Sequence, residues 1–367
     1  MPSLGLRPAV LLTQKAVFGQ NSPQAKITPM GYLAYLLSQA TPNILSSTID
    51  DKSGYIKDVN VRFKKRAAAG TSVTVDGCTI EAEGAYYTQT MPALLKRYKG
   101  TWFDYPTIKQ FTEDALASKQ VGNVPTRLMQ EVWDEIMAQA NGLLLDINAD
   151  LLAALAFGIN VQNGLATTKT VNFPQNTSTL VMASGMTEVM SDAMLNEADI
   201  RTASIVGSGI INYYYLQQAA KGLDQSGMNS TQLALPKFYF DPAAATAFGA
   251  NQFAVIEKDA VQFVNLCNNR ATGIMGRLGT SEFGNLTLPI VDAQGNSFRN
   301  LEFDLQIKEV DCPASQTIAG VAASKGRGFI VILGCNYGTV QIPTTAYASA
   351  DRLTGNRGTY RYTGTNT

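Results

Sequence analysis

The chain is 367 residues long, and its 29 basic residues balance 29 acidic ones. It has no histidine, which excludes triads with a histidine base, HExxH and three-histidine zinc centres, and the zinc-deaminase signature. Charged residues make up only 16%, below the roughly 25% of average proteins; a weakly charged, neutral surface favours association, although a surface rich in Ser, Thr, Asn and Gln gives the same figures.

Residues 1–50 read as an extended arm. Prolines at 2, 8, 23, 29 and 42 punctuate it, and one short helical piece carries Tyr32, Tyr35, Leu36 and Leu37. Such a segment buries little against itself, so it needs a neighbouring domain or subunit to lie along. Nothing at the amino end reads as a signal peptide, and no apolar run reaches the ~18 residues of a membrane span.

From Gly54 the pattern changes to period two. Tyr55 to Phe63 alternates, Lys64-Lys65-Arg66 and Ala67 to Gly70 break it, Thr71 to Val75 resumes, and Asp76-Gly77 is a hairpin-turn dipeptide. This predicts a projecting antiparallel β-hairpin from Gly54 to about Ile80. Residues 91–122 read as short helical pieces, first around Met91, Leu94, Leu95 and Tyr98, then from Ile108 to Ser118.

Pro125-Thr126 opens the strongest signal, with Thr126 as the expected N-cap. Leu128, Met129, Val132, Trp133, Ile136, Met137 and Ala140 form one apolar stripe, continued by Leu143, Leu144, Ile147, Leu151, Leu152, Leu155 and Phe157. At 1.5 Å per residue this helix spans roughly 45–50 Å. Asn141-Gly142 and Asn148-Ala149-Asp150 are the places where it would kink or split.

Residues 170–265 alternate helix and strand: a helix from Thr187 to about Leu195, a strand at Ala203 to Val206, a helix from Ile210 to about Ala220 with Tyr213-Tyr214-Tyr215, a strand at Lys237 to Phe240 and an alanine-rich helix after Asp241-Pro242. A small sheet flanked by helices follows. Strands dominate after that, at Leu286 to Val291, Leu301 to Ile307 and Gly328 to Gly334, with Arg357 to Tyr362 alternating in the tail. The fold class is α+β.

Chemistry is sparse. Cys78, Cys267, Cys312 and Cys335 form no CxxC pair, and buried free thiols are the expectation. Gly207-Ser208-Gly209 lacks the third glycine of a dinucleotide loop and reads as a tight strand-to-helix turn. Asp50-Asp51 and Glu81/Glu83 are the carboxylate pairs, placed in an arm and a strand. No catalytic residue, metal ligand or cofactor is expected. Lys64, Lys65 and Arg66 suit either a solvated hairpin end or contact with phosphates. Residues 1–66 hold nine basic and three acidic residues, an asymmetry that suits attraction between the extended part of one molecule and the body of the next.

An extended arm, a projecting hairpin, a long helix, an α/β unit and returning strands, in that order, resemble the major capsid protein of tailed bacteriophages, the Hong Kong 97-like fold. The resemblance rests on architecture and implies an N-arm at 1–50, an E-loop at 51–90 and the first part of a P-domain at 91–169, with its spine helix at 126–157. An A-domain at 170–285 follows, then return strands of the P-domain sheet and a tail at 286–367. It implies a non-enzymatic virion subunit, assembled in the host cytoplasm as hexamers and pentamers into an icosahedral head around double-stranded DNA. Scaffolding, portal and decoration proteins are the implied partners, with no membrane. Lys64, Lys65 and Arg66 become inter-subunit contact candidates, and Lys57, Lys64 and Lys65 crosslink candidates. An encapsulin-type protein compartment and a histidine-free carboxylate enzyme are the alternatives.

Overall fold

The structure, a computed structural model, describes residues 31–39, 44–49, 56–64, 86–92, 94–104, 124–158, 168–173, 179–196, 198–216, 236–267, 276–278, 281–288, 299–312, 326–342 and 357–366. Its helices are α1 (Gly31–Ser38), α2 (Val124–Ala154), α3 (Thr179–Leu195), α4 (210–216) and α5 (Ala244–Phe248). The apolar stripe makes α2 one unbroken helix of 31 residues, and Thr126 falls inside its first turn rather than at its cap. Ile136, Met137, Ala140, Leu143, Leu144, Ile147, Leu151 and Leu152 are all buried, the i, i+3, i+4 face that such spacing dictates. Asn141-Gly142 does not break it: Ala140, Leu143 and Leu144 on either side are buried on the same apolar face, and that packing outweighs the ~1 kcal/mol helix cost of one glycine.

That face covers an antiparallel sheet. Its strands run in the order β10 (Gly276–Leu278), β11 (Ser281–Leu288), β12 (Leu301–Cys312), β13 (Gly326–Gln341) and β4 (Leu95–Asp104), with β9 (Val261–Asn265) also on β13. β4 pairs along one edge of β13, from Gly328 to Tyr337; the other edge is shared by β12, from Gly326 to Gly334, and β9, from Tyr337 to Gln341. Strand β4 corrects the helical reading of Leu94, Leu95 and Tyr98. Their spacing is helical, but ten residues of β13 offer a full ladder of hydrogen bonds, and pairing overrides a weak local period. The expected helix at 108–118 lies outside the described residues.

Alternate residues of β4 meet the polar flank of α2. Arg97 donates two hydrogen bonds to Asp150, both 2.8 Å, Lys99 pairs with Asp146 at 3.0 Å, and Thr101 donates to Glu135 at 2.8 Å. Two strand residues and four helix residues advance by nearly the same ~6 Å, which brings Arg97 to Asp150 and Lys99 to Asp146; Thr101 meets the helix further along, at Glu135. Tyr337 of β13 also donates to Asp150. The Arg97 hydrogen bonds hold the Asp150 carboxyl below its usual range, with Tyr337 adding to them and burial opposing. Because the folded value lies below the unfolded one, this stabilisation is complete above the ~3.9 of a free aspartate and is lost as pH falls through the folded value. Arg97→Met should therefore flatten the acid limb of the urea midpoint measured between pH 6 and 2.5. Solvent screening at this exposed pair keeps the effect small.

The second sheet is mixed, in the order β5 (Thr168–Asn172), β14 (Thr359–Thr365), β8 (Gln252–Ile256), β6 (Ser204–Gly207) and β7 (Lys237–Phe240). Here β14 runs parallel to β5 and antiparallel to β8. The tail segment is thus not a further strand of the α2-covered sheet; it lies inside the α/β unit. Helices α3 and α4 pack their buried residues on this sheet, around Phe173, Tyr214, Phe253 and Tyr362. The third sheet is antiparallel, β1 (Ile44–Ile49), β2 (Ile56–Lys64) and β3 (Tyr86–Pro92). The expected hairpin therefore gains a strand from the arm. Its expected turn at Asp76-Gly77 and strand at 71–75 lie outside the described residues.

Candidate assembly surfaces

The helix expected in the arm is not a surface feature. Tyr32, Leu33, Tyr35, Leu36 and Leu37 of α1 are each at most 1% exposed and join the core formed by α2 and the antiparallel sheet. Eight residues bring their own N-terminal donors into that core, and these need partners. Asp241, fully buried just after β7, supplies one: its Oδ2 accepts from Tyr32 N at 2.8 Å and from Asn148 Nδ2 at 2.8 Å. Asn148 Oδ1 accepts from Leu33 N at 2.8 Å, and Asp241 Oδ1 accepts from Ala243 N at 2.9 Å. One carboxylate thus ties α1, α2 and the turn before α5 together. Gly31 is required there, with φ +44° and a Cβ position 2.2 Å from Asp241 Cβ. Neither residue carries a sequence motif for this role, because the cap comes from 209 residues away.

The three-stranded sheet meets the body at one end. Val59 of β2 is buried with Leu94, Val264, Leu266 and Val340. From Val59, paired with Met91, the ladder runs five residues on to Lys64, paired with Tyr86, about 17 Å at strand rise. Lys57 stands two residues before the anchored position and Lys64 at the far end of β2, while Lys65 and Arg66 lie outside the described residues. Of the candidates within the described residues, Lys57 and Lys64 therefore stand toward opposite ends of β2.

Chemical sites are few. Among the described residues no group of three or more His, Cys, Asp or Glu could hold a metal ion, and no helix is long and apolar enough to cross a membrane. Cys267 and Cys335 are buried free thiols, each pushed up by burial; Cys312 lies at the end of β12, and Cys78 lies outside the described residues. Between α2 and the sheet, a gap lined by Thr101, Phe103, Glu135, Gln139 and Leu333 is too narrow for a water molecule. Its one carboxylate accepts from Thr101 and Gln139. At Gly207-Ser208-Gly209 close packing accounts for the first glycine, since a Cβ there would lie 2.5 Å from Phe253 Cβ, and Gly209 has φ +64°. The carboxylates at 50, 51, 81 and 83 lie outside the described residues.

No known family model matches the chain, and no curated protein matches it. Solved structures do. A structure from Mycobacterium phage Adephagia is 11% identical over 93% of this chain and 92% of its own, with a TM-score of 0.47. A capsid structure of the Cyanophage P-SCSP1u is 10% identical over 93% and 90%, with a TM-score of 0.42. A virus-like particle from Pyrococcus furiosus is 7% identical over 96% and 97%, with a TM-score of 0.37.

Proposed function

We propose that this chain is a major capsid subunit of the tailed-phage type, which assembles as hexamers and pentamers into an icosahedral head around double-stranded DNA. The observation that carries the reading is the basic three-stranded sheet, anchored to the body at Val59 and running about 17 Å beyond it. In a shell that extension lies on the next subunit. The long helix α2 serves as the spine of a P-domain whose sheet is built from β4 and β9 to β13. The mixed sheet with α3 and α4 forms the A-domain, to which β14 belongs. Residues 1–50 act as the N-arm, with α1 as its fixed root. Scaffolding, portal and decoration proteins are the partners, and the virion is the location. Lys64, Lys65 and Arg66 contact the neighbouring subunit, and Lys57, Lys64 or Lys65 is the place to look for a covalent crosslink.

Negative-stain electron microscopy of the purified chain, alone and co-expressed with its scaffold, tests this. Closed shells or hexamer-sized rings are expected. A strictly monomeric species under every assembly condition overturns the reading. Nucleic acid inside the shells separates a genome container from an encapsulin-type compartment, which would hold protein.

A further inference from the structure

Strand β14 fills a slot between β5 and β8 and is the one described strand that β5 pairs with. It comes late in the sequence relative to all it touches: Tyr360 donates to Glu257 at 2.8 Å across 103 residues, and Tyr362 to Asp192 at 2.8 Å across 170. Thr359, Tyr360 and Tyr362 are at most 1% exposed, and the Tyr362 ring stacks on Phe253 at 5.6 Å.

The same strand holds two segments outside its own sheet. Thr359 accepts from Gly158 N at 3.0 Å through its carbonyl and donates from Oγ1 to Ala156 O at 2.9 Å, joining Gln341 of β13, which bonds both Ala156 N and Ala156 O, in holding the exit of α2. The Gly358 carbonyl accepts from Glu257 N at 2.8 Å, and the Glu257 carbonyl in turn accepts from the Tyr35 hydroxyl of α1 at 3.1 Å. Seating of β14 is therefore felt at both the long helix and the root of the arm.

The connection to β13 does not hold β14 in place by being short. Ile342 N donates to Ala260 O at 3.1 Å, and a Cβ on Gly358 would lie 2.8 Å from Ala260 Cβ, so residues 343–356 start and finish beside one residue. Fully extended, they reach up to ~50 Å. What keeps β14 in the slot is the fit itself, which is tight: a Cβ on Gly364 would lie 2.2 Å from Ile210 Cγ2.

We propose that the slot between β5 and β8 is a strand-acceptor site, able to take residues 357–366 supplied as a separate segment. Its filling is the step that locks the exit of α2 and the root of the arm. The slot stands without the capsid reading; the importance of that lock for shell assembly rests on it.

The test uses the full chain carrying Gly364→Val, which blocks its own strand, and a fluorescent peptide of residues 357–366 with the unaltered sequence. In the unmutated chain the tethered strand competes at an effective concentration in the millimolar range, so the peptide should bind the variant at least ~100-fold more tightly. Binding should also restore amide-exchange protection at Gly158, whose N–H donates to Thr359, and in α1. Equal binding to both chains overturns the proposal, as does unchanged protection at those amides in the unfilled variant. A second arm guards against misfolding of the variant: the unmutated chain with a protease site inserted between 349 and 350, cut after folding. The released strand should stay bound and exchange with labelled peptide; its departure while Gly158 and α1 remain protected overturns the proposal. Shells are scored separately, and their absence from the unmutated chain counts against the capsid reading alone.

Discussion

Asp241→Ala is expected to lower the unfolding free energy by about 4 kcal/mol, the largest effect of any single polar substitution in the core. Three donors lose their acceptor at once: Tyr32 N, Asn148 Nδ2 and Ala243 N. The site is buried, so water does not replace the lost oxygens, and each stranded donor keeps its desolvation cost. Asp241→Asn should fall between, because its amide retains one acceptor oxygen but aims an NH₂ at groups that are themselves donors. Urea unfolding followed by tryptophan fluorescence and by circular dichroism measures both. An Asp241→Ala midpoint equal to that of the parent chain would show that α1 does not depend on this cap.

Asp192→Ala is the second large effect, about 3 kcal/mol, and it acts on the other core. Asp192 is 2% exposed; its Oδ2 accepts from Tyr362 and its Oδ1 lies 3.2 Å from Lys169 Nζ. Lys169 retains Glu188 at 3.4 Å, which is half exposed. The Tyr362 hydroxyl loses its acceptor in a place where burial, followed by the Asp192 charge, raises its pKa well above the usual tyrosine value. It cannot escape the cost by ionising. Tyr362→Phe removes the donor together with its need for a partner, so it should cost only about 1 kcal/mol. Hydrogen exchange in β14 separates the two: protection should fall far more for Asp192→Ala than for Tyr362→Phe, and the reverse order would refute this account.

Much of the fold was legible because its signals are local. The stripe from Leu128 to Leu152 repeats at helix period, and one face of a helix is decided by its own spacing. Clean alternation in Leu301 to Ile307, and the apolar run Gly328 to Gly334, likewise marked β12 and β13. Misreadings arose where two patterns fitted one segment. Leu94, Leu95 and Tyr98 satisfy a helical period, yet the same stretch places Arg97, Lys99 and Thr101 at alternate positions that match Asp150, Asp146 and Glu135 of α2. Only the presence of β13 alongside makes the second pattern win. The strands at 168–172, 252–256 and 261–265 were not resolved within the α/β region, because runs of five residues carry too little periodicity to separate from their surroundings.

The candidate surfaces divide in the same way. Composition by itself determined that no step here uses a histidine base or a histidine metal ligand, and residue order determined the succession of arm, hairpin, long helix, α/β unit and strands. The tertiary structure alone decided that α1 is core and not part of a loose arm, that Asp241 and Asn148 cap it, and that β14 crosses into the mixed sheet to hold the exit of α2. The physical reason is range. Periodicity and turn chemistry act over a few residues and are written in neighbouring letters. A buried donor is indifferent to where along the chain its acceptor comes from, and Tyr32 finds its own in Asp241, 209 residues away.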